Sequence, residues 1–290
     1  MNILYFILLA FFWGSAYIGV KYTLDVVPPY TSAFLRTFIG FLFFAIWYLI
    51  ARKKVYLPIK LAWRPWLAGS LIMSIPFLFL YWGQRFIPAG TGGILNGTVP
   101  LWVFVIAALT IKGEDKFTWK KALGTLLGFG GLLLVFAPAL QNFHSVDKNV
   151  LFGMASLLCM AICYAVGNVL TKYILKGNIS MEQNIFHQFW FSSAFLLIVL
   201  LIVGEPLPSS EIFAPKVLIS MLYVGICSSA LALLLLYRLL KEWGALKASA
   251  ATYFVPIVAV ALDYILNGTI PGVYTITGMV VIIISLLLIK

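Results

Sequence analysis

The runs Asn96-Gly97-Thr98-Val99-Pro100-Leu101-Trp102 and Thr252-Tyr253-Phe254-Val255-Pro256-Ile257 share a Val-Pro pair 156 residues apart. Each proline falls near the middle of a stretch apolar enough to cross a bilayer. Proline lacks the backbone donor that a helix needs and frees a carbonyl one turn back, which lipid cannot satisfy. Paired interruptions of this kind in corresponding helices point to a solute site at the middle of the membrane. The competing reading is a kink used only for packing, and the pairing favours the site. Asn96, with Gly90, Gly92, Gly93 and Gly97, also lets a neighbour approach the first of these helices closely.

The match extends to both sides of the prolines. At the same offset Leu80-Tyr81 meets Leu236-Tyr237, Arg85 meets Lys241 and Ala89 meets Ala245. At an offset of 151, Trp13 meets Tyr164 and Lys21-Tyr22 meets Lys172-Tyr173. Two near-constant offsets argue for duplication of one unit. The units are residues 1–137 and 150–290, and the polar stretch 138–149 is their junction.

Composition names the solvent. Of 290 residues, 63% are hydrophobic and 10% charged, with a mean hydropathy of +1.04, against roughly 45–50% apolar and about 25% charged in soluble proteins. Such a chain belongs in lipid. Reading from one punctuating residue to the next gives apolar spans near 3–20, 31–51, 65–83, 89–111, 121–137, 150–171, 183–203, 216–236, 248–266 and 273–289. The N-terminus enters its first span with no basic leader and no small-residue cleavage site, so it reads as a retained helix.

Charge tests the count of ten. With the N-terminus in the cytoplasm, Arg52, Lys53, Lys54, Lys60, Arg64, Lys112, Lys116, Lys120, Lys121, Lys172, Lys176, Arg238, Lys241, Lys247 and Lys290 fall inside. Only Lys21, Arg85, Lys148 and Lys216 fall outside. That asymmetry places both termini in the cytoplasm. The net charge of +11 is an orientation signal and not a nucleic-acid footprint. Five spans per unit is an odd number, so the second unit enters from the opposite side. The expected fold is all-α and integral to the membrane, with ten transmembrane helices in two inverted-topology five-helix repeats. Repeats of this kind build secondary transporters, because two equivalent bundles can open a central site to alternate sides.

Few polar groups lie within the spans. Arg36 and Asp263 are the clearly intramembrane charges, each costing up to about 2.5–3.5 kcal/mol at the bilayer centre. Either Arg36 snorkels and Asp263 caps a loop, or both face a cavity and bind or gate a charged solute. His187 is a candidate for proton coupling, against a plain hydrogen-bonded packing role. Asp263 and His187 are thus the gating or coupling candidates. Trp13, Tyr17, Tyr81, Trp102, Tyr164 and Tyr253 are aromatics placed to line a cavity for a planar or apolar solute, with Asn96, Asn168 and Gln188 as donors and acceptors. Trp63, Trp66 and Trp119 read as interfacial belt residues. Gly124 and Gly128 suit close helix packing within a monomer or in a weak dimer. Cys159, Cys163 and Cys227 form no metal-ligand or disulfide pattern.

The chain resembles the drug/metabolite transporter superfamily, and within it the EamA-like ten-helix permeases. The carriers are Phe12-Trp13-Gly14-Ser15, Arg36, the segment from Pro88-Ala89 to Pro100, Lys112-Gly113-Glu114, Gly124 and Gly128, with Ala245, Pro256 and Gly278 in the second copy. The second copy departs where the family often has Gly-Glu, since Asn267-Gly268 is followed by Thr269. The resemblance implies a central cavity between helices 1–4 and 6–9, and carriage of amino acids, nucleosides or related metabolites, often as export.

The expectation is a secondary transporter of a small metabolite in the cytoplasmic membrane of a bacterium or archaeon, with no cofactor and no metal. A channel and a polytopic membrane enzyme are the alternatives. The enzyme would need clustered His, Asp or Glu at a membrane boundary, and an ATP-driven pump would need a nucleotide-binding loop that this sequence lacks.

Overall fold

The computed structural model describes residues 2–87, 92, 95–110, 118–135, 137, 148–205, 210–267 and 270–289, without the side chains of Tyr17, Ile18, Lys21, Ala259, Asp263, Leu266 and Asn267. The helices are α1 (Asn2–Leu24), α2 (Pro29–Ile50), α3 (Ile59–Gly83), α4 (Val99–Thr110), α5 (Trp119–Val135), α6 (Lys148–Lys176), α7 (Met181–Val203), α8 (Pro215–Trp243), α9 (Ala251–Asn267) and α10 (Val273–Ile289). A short helix, Ala245–Ser249, leads into α9. There is no strand among the described residues.

Six helices are long and apolar enough to cross a membrane, and Asn2–Ala16, Val99–Thr110 and Val273–Ile289 are shorter apolar helices. The exterior is apolar as well, with Leu109 82%, Ile202 79% and Leu287 60% exposed. Such a surface is made for lipid, and the chain is a multi-pass membrane protein.

Local signals explain the helix ends. Pro29 and Pro215 each open a helix, where the missing donor costs nothing. Ser180 and Gln183 form a reciprocal capping box at the start of α7. Gly204 at φ 65° ends α7 and Gly244 at φ 89° ends α8, both in backbone conformations that disfavour other residues. No side chain of its own caps α2. Glu205, just beyond α7, accepts instead from the Tyr30 and Thr31 amides at 3.1 and 2.8 Å.

Several ends differ from the sequence expectation. α3 begins at Ile59 and not near 65, α6 spans Lys148–Lys176 and not 150–171, and α8 continues to Trp243 and not 236. Charged residues mark where a span stops being apolar, but long basic side chains let a helix run on past that point. Lys172, assigned above to a loop, is in fact 2% exposed within α6. Trp66 is not a loop-flanking belt residue. It packs inside α3 against Trp190 and Phe191.

The halves interleave. α2 and α7 run antiparallel, for Glu205 beyond the end of α7 holds the start of α2, while Lys53 beyond the end of α2 pairs with Glu182 at the start of α7 at 3.2 Å. α5 and α10 run antiparallel too, with Gly124 beside Ile289 and Gly131 beside Gly278. α1 packs on α8 and α9 as α6 packs on α3 and α4, and α8 packs on α2 as α3 packs on α7. Exchanging the two halves of the chain therefore maps this contact pattern onto itself.

α3 and α8 each contain one stretch of wider π-helical turn, Ser70–Ser74 and Ile226–Leu231, starting 156 residues apart. Each follows a glycine at a close crossing. A Cβ on Gly69 would lie 2.9 Å from Gln188 of α7, and one on Gly225 would lie 2.6 Å from Ile39 of α2. Widened turns of this kind cluster at functional sites.

Candidate functional site

A cavity of about 80 Å³ lies between α1, α2, α3, α6, the start of α9 and the segment leading into α4, several times what one water needs. Trp13 and Tyr164, which match at the offset of 151, meet across it with ring centroids 5.9 Å apart and nearly perpendicular. Asn96 and Thr252, which match at 156, both line it. Each sits four residues before one of the paired prolines. Both copies thus bring the residue four before the proline to the same space, although only Pro256 interrupts a helix, Pro100 lying in the first turn of α4.

Arg36 supplies the charge. Its side chain is buried and lines the cavity. Nε donates to Ser229 Oγ at 2.7 Å, and the guanidinium stands 4.2 Å over the Phe77 ring. Tyr81 and Tyr164 lie near enough to feel its charge. Among the described side chains no carboxylate pairs with it. A buried cation held without such a partner is costly, and the ring and hydroxyls around it offset only part of that cost. The arrangement is able to hold an anion, because Arg presents forked donors that match a carboxylate.

The other sequence candidates divide by position. Trp13, Arg36, Asn96 and Tyr164 line the cavity, and Tyr81 is buried behind Arg36. Pro100 lies in the first turn of α4, after a turn at Gly97-Thr98, and Pro256 lies within α9. Pro100 is therefore not the mid-helix interruption that its sequence suggests, whereas Pro256 is inside its helix. Trp102 turns to Thr98, its Nε1 donating to Oγ1 at 3.2 Å. Tyr253 is fully buried against α5, donating to the Thr125 carbonyl at 2.9 Å. Asn168 is fully buried on α6, below Tyr164 and off the cavity wall. The side chains of Tyr17 and Asp263 lie outside the described residues, as do Pro88-Ala89, Gly90, Gly93, Lys112-Gly113-Glu114 and Gly268-Thr269.

His187 is held in an aromatic cluster away from the cavity. Trp66 Nε1 and Trp190 Nε1 both donate to Nδ1, at 3.2 and 3.1 Å, and Nε2 faces the Val55 carbonyl at 3.0 Å. With Nδ1 accepting twice, the proton sits on Nε2. Gly124 and Gly128 pack on α10 and Tyr253 within the chain.

Sequence reasoning missed Phe77, Ser229 and Thr252. Thr252 carries a signal, its place four residues before Pro256. Ser228-Ser229 is a polar pair in the apolar middle of α8, and it faces inward through the widened turn, where Ser228 Oγ donates to the Phe12 carbonyl at 2.8 Å. Phe77 carries none, being one of 23 phenylalanines.

Residues 1–137 and 151–290 each match the EamA-like transporter family. The uncharacterized transporter YoaV of Bacillus subtilis is 28% identical over 254 residues, covering 87% of this chain and 84% of that protein. A probable terminal-alkyne amino-acid exporter of Streptantibioticus cattleyicolor is 23% identical over 212 residues, covering 73% and 67%. A solved crystal structure superposes with a TM-score of 0.82 at 16% identity, covering 99% of this chain and 95% of that one, so the fold is shared. The named relatives are transporters, not enzymes.

Proposed function

Since the chain belongs to the EamA-like transporter family, we propose that it is a secondary carrier working by alternating access around the Arg36 cavity. It crosses the membrane ten times, as two inverted five-helix units spanning 1–137 and 150–290, with both termini in the cytoplasm and the Arg36 end of α2 toward the outside. The antiparallel pairing of α2 with α7 and of α5 with α10 supports the inversion, because corresponding helices of an inverted repeat must run in opposite directions. The charge count supports the orientation.

Its substrate is a small metabolite carrying a carboxylate beside an apolar or planar part, an amino acid being the simplest case. The observation that carries this reading is the buried guanidinium of Arg36, without a carboxylate partner among the described residues and facing a cavity walled by Trp13, Phe77 and Tyr164. Export is the direction we assign, as for the Streptantibioticus relative. Asp263 is the gating candidate that remains, and His187 is a packing residue.

Counterflow tests this. Purified protein in liposomes preloaded with mixed amino acids should accumulate labelled amino acid from outside, and should pass no steady current. A continuous conductance would establish a channel. Exchange of neutral solutes but of no carboxylate would reject the role of Arg36.

A further inference from the structure

Exchanging the halves sends the cavity residues to a second set that the site above does not use. Trp13 and Val20 go to Tyr164 and Thr171 at 151, Arg36 to Gln188 at 152, and Tyr81 to Tyr237 at 156. The offset of 152 is the one between the first residues of α2 and α7, and it also carries Lys53 to Glu205, the two residues that tie the ends of those helices. The first set surrounds open space. The second is closed: Tyr237 donates its hydroxyl to Gln188 Oε1, and Gln188 Nε2 donates to Asn184 Oδ1 at 3.1 Å and to Thr171 Oγ1 at 3.4 Å.

This closed cluster is not satisfied. Asn168, Thr171, Asn184, Gln188 and Tyr237 all have zero exposure. Yet among the described residues Asn168 has no partner for Nδ2 or Oδ1, and Asn184 has none for Nδ2. Buried polar atoms without partners are rare in a settled core, and each calls for an explanation. Tyr164, Asn168 and Thr171 follow at i, i+4 and i+7, so they share one face of α6. The spare amide thus sits between the cavity and the cluster. Beyond the cluster, a groove of about 580 Å³ opens between Tyr5, the α6–α7 connection and the end of α8 at Arg238, Lys241 and Glu242. Along α6 the cluster residues Asn168 and Thr171 lie between Tyr164 of the cavity and Leu175 of the groove.

We infer that Asn168, Thr171, Asn184 and Gln188 form a second binding station for the polar end of the solute, on the cytoplasmic side and closed in this conformation by Tyr237. The inference rests on the carrier reading and orientation proposed above. When Tyr237 swings away, the amides meet the groove and the unpaired atoms of Asn168 and Asn184 find partners in solute or water. The stations are unlike in charge. Arg36 holds a carboxylate by charge-assisted bonds, whereas the amides hold it by weaker neutral ones, which eases release.

Cysteine accessibility tests it without knowing the solute. In a Cys159→Ser, Cys163→Ser, Cys227→Ser background, Thr171→Cys and Val20→Cys are made separately and treated in proteoliposomes with a charged methanethiosulfonate, applied to one face at a time. Thr171→Cys should react from the cytoplasmic face, and adding Tyr237→Phe should speed it by about tenfold, as loss of one buried hydrogen bond implies. Val20→Cys should react from the outer face and slow with the same change. Thr171→Cys unreactive from the cytoplasm with and without Tyr237→Phe, while Val20→Cys reacts from outside, would make the cluster static packing. Asn168→Cys serves if the Thr171 variant misfolds. Failure of the carrier reading looks different: both positions would react from both faces at once.

Discussion

The seam between α5 and α10 and the cavity bounded by Trp13, Arg36 and Tyr164 both bring corresponding parts of the two halves together, from opposite materials. In the seam, backbones touch. A Cβ on Gly131 would lie 2.8 Å from the Gly278 carbonyl, and one on Gly124 would lie 3.0 Å from that of Ser285. Small residues at such crossings leave nothing to rearrange. At the cavity, large rings meet edge-on over a void, beside a buried charge and widened turns in α3 and α8. The two halves thus share one surface that fixes them together and one that leaves room to move. Mutations should sort accordingly, into stability at the seam and turnover at the cavity.

The largest effect is expected at Arg36. Arg36→Ala should lower counterflow by about 10- to 100-fold, the loss of hydrogen bonds to a charged group. Folding should survive, because a buried charge without a carboxylate partner among the described side chains is removed. Arg36→Lys should recover part of the activity, since it keeps the charge but not the fork. If Arg36→Ala carries solute at the parental rate, the cavity joins the seam as packing.

Gly131→Val probes the seam. The added carbons meet the Gly278 carbonyl and the Ile282 amide as well as the Ile282 side chain, so overpacking should cost about 1–3 kcal/mol. A thermal melt in detergent reads it, while turnover per folded molecule stays at the parental value. A turnover loss larger than the stability loss would show that the seam moves during transport.

His187 asks on which side a titratable residue falls. His187→Phe leaves two indole donors and the Val55 carbonyl without their partner, a cost of about 1–3 kcal/mol. The pH profile of transport between about pH 5 and 8, where an ordinary histidine titrates, should keep its shape. A flattened profile would make His187 a coupling residue and place it with the cavity.

How far these regions can be read from sequence depends on the physics involved. Arg36 is legible because a charge inside an apolar span is expensive and rare. The Val-Pro pair is legible because proline stands out in an apolar span, although Pro100 opens α4 and Pro256 lies within α9. Ser229 is not, for nothing in its neighbours announces the widened turn that aims it at Arg36. Nor is Glu205, which caps a helix of the other half. Lys172 and Tyr237 read as loop residues, because in the sequence charge marks the end of each apolar span, yet both are buried. Burial of a helix end is decided by its partner helix, which local composition does not contain.

The smallest expected effect is the finest test of the comparison. Tyr253 reads in sequence as a cavity aromatic, but its hydroxyl bonds to the Thr125 carbonyl of α5, and its ring covers Gly128, whose Cβ would lie 2.6 Å away. That places it with the seam. Tyr253→Phe keeps the ring and removes one neutral hydrogen bond, so stability should fall by about 0.5–1.5 kcal/mol. Counterflow should be unchanged, since α9 reaches the cavity through Thr252 and not through this side chain. A transport defect at unaltered stability would mean that the α5–α9 contact breaks in each cycle, and the division between a fixed seam and a moving cavity would have to be redrawn along α9.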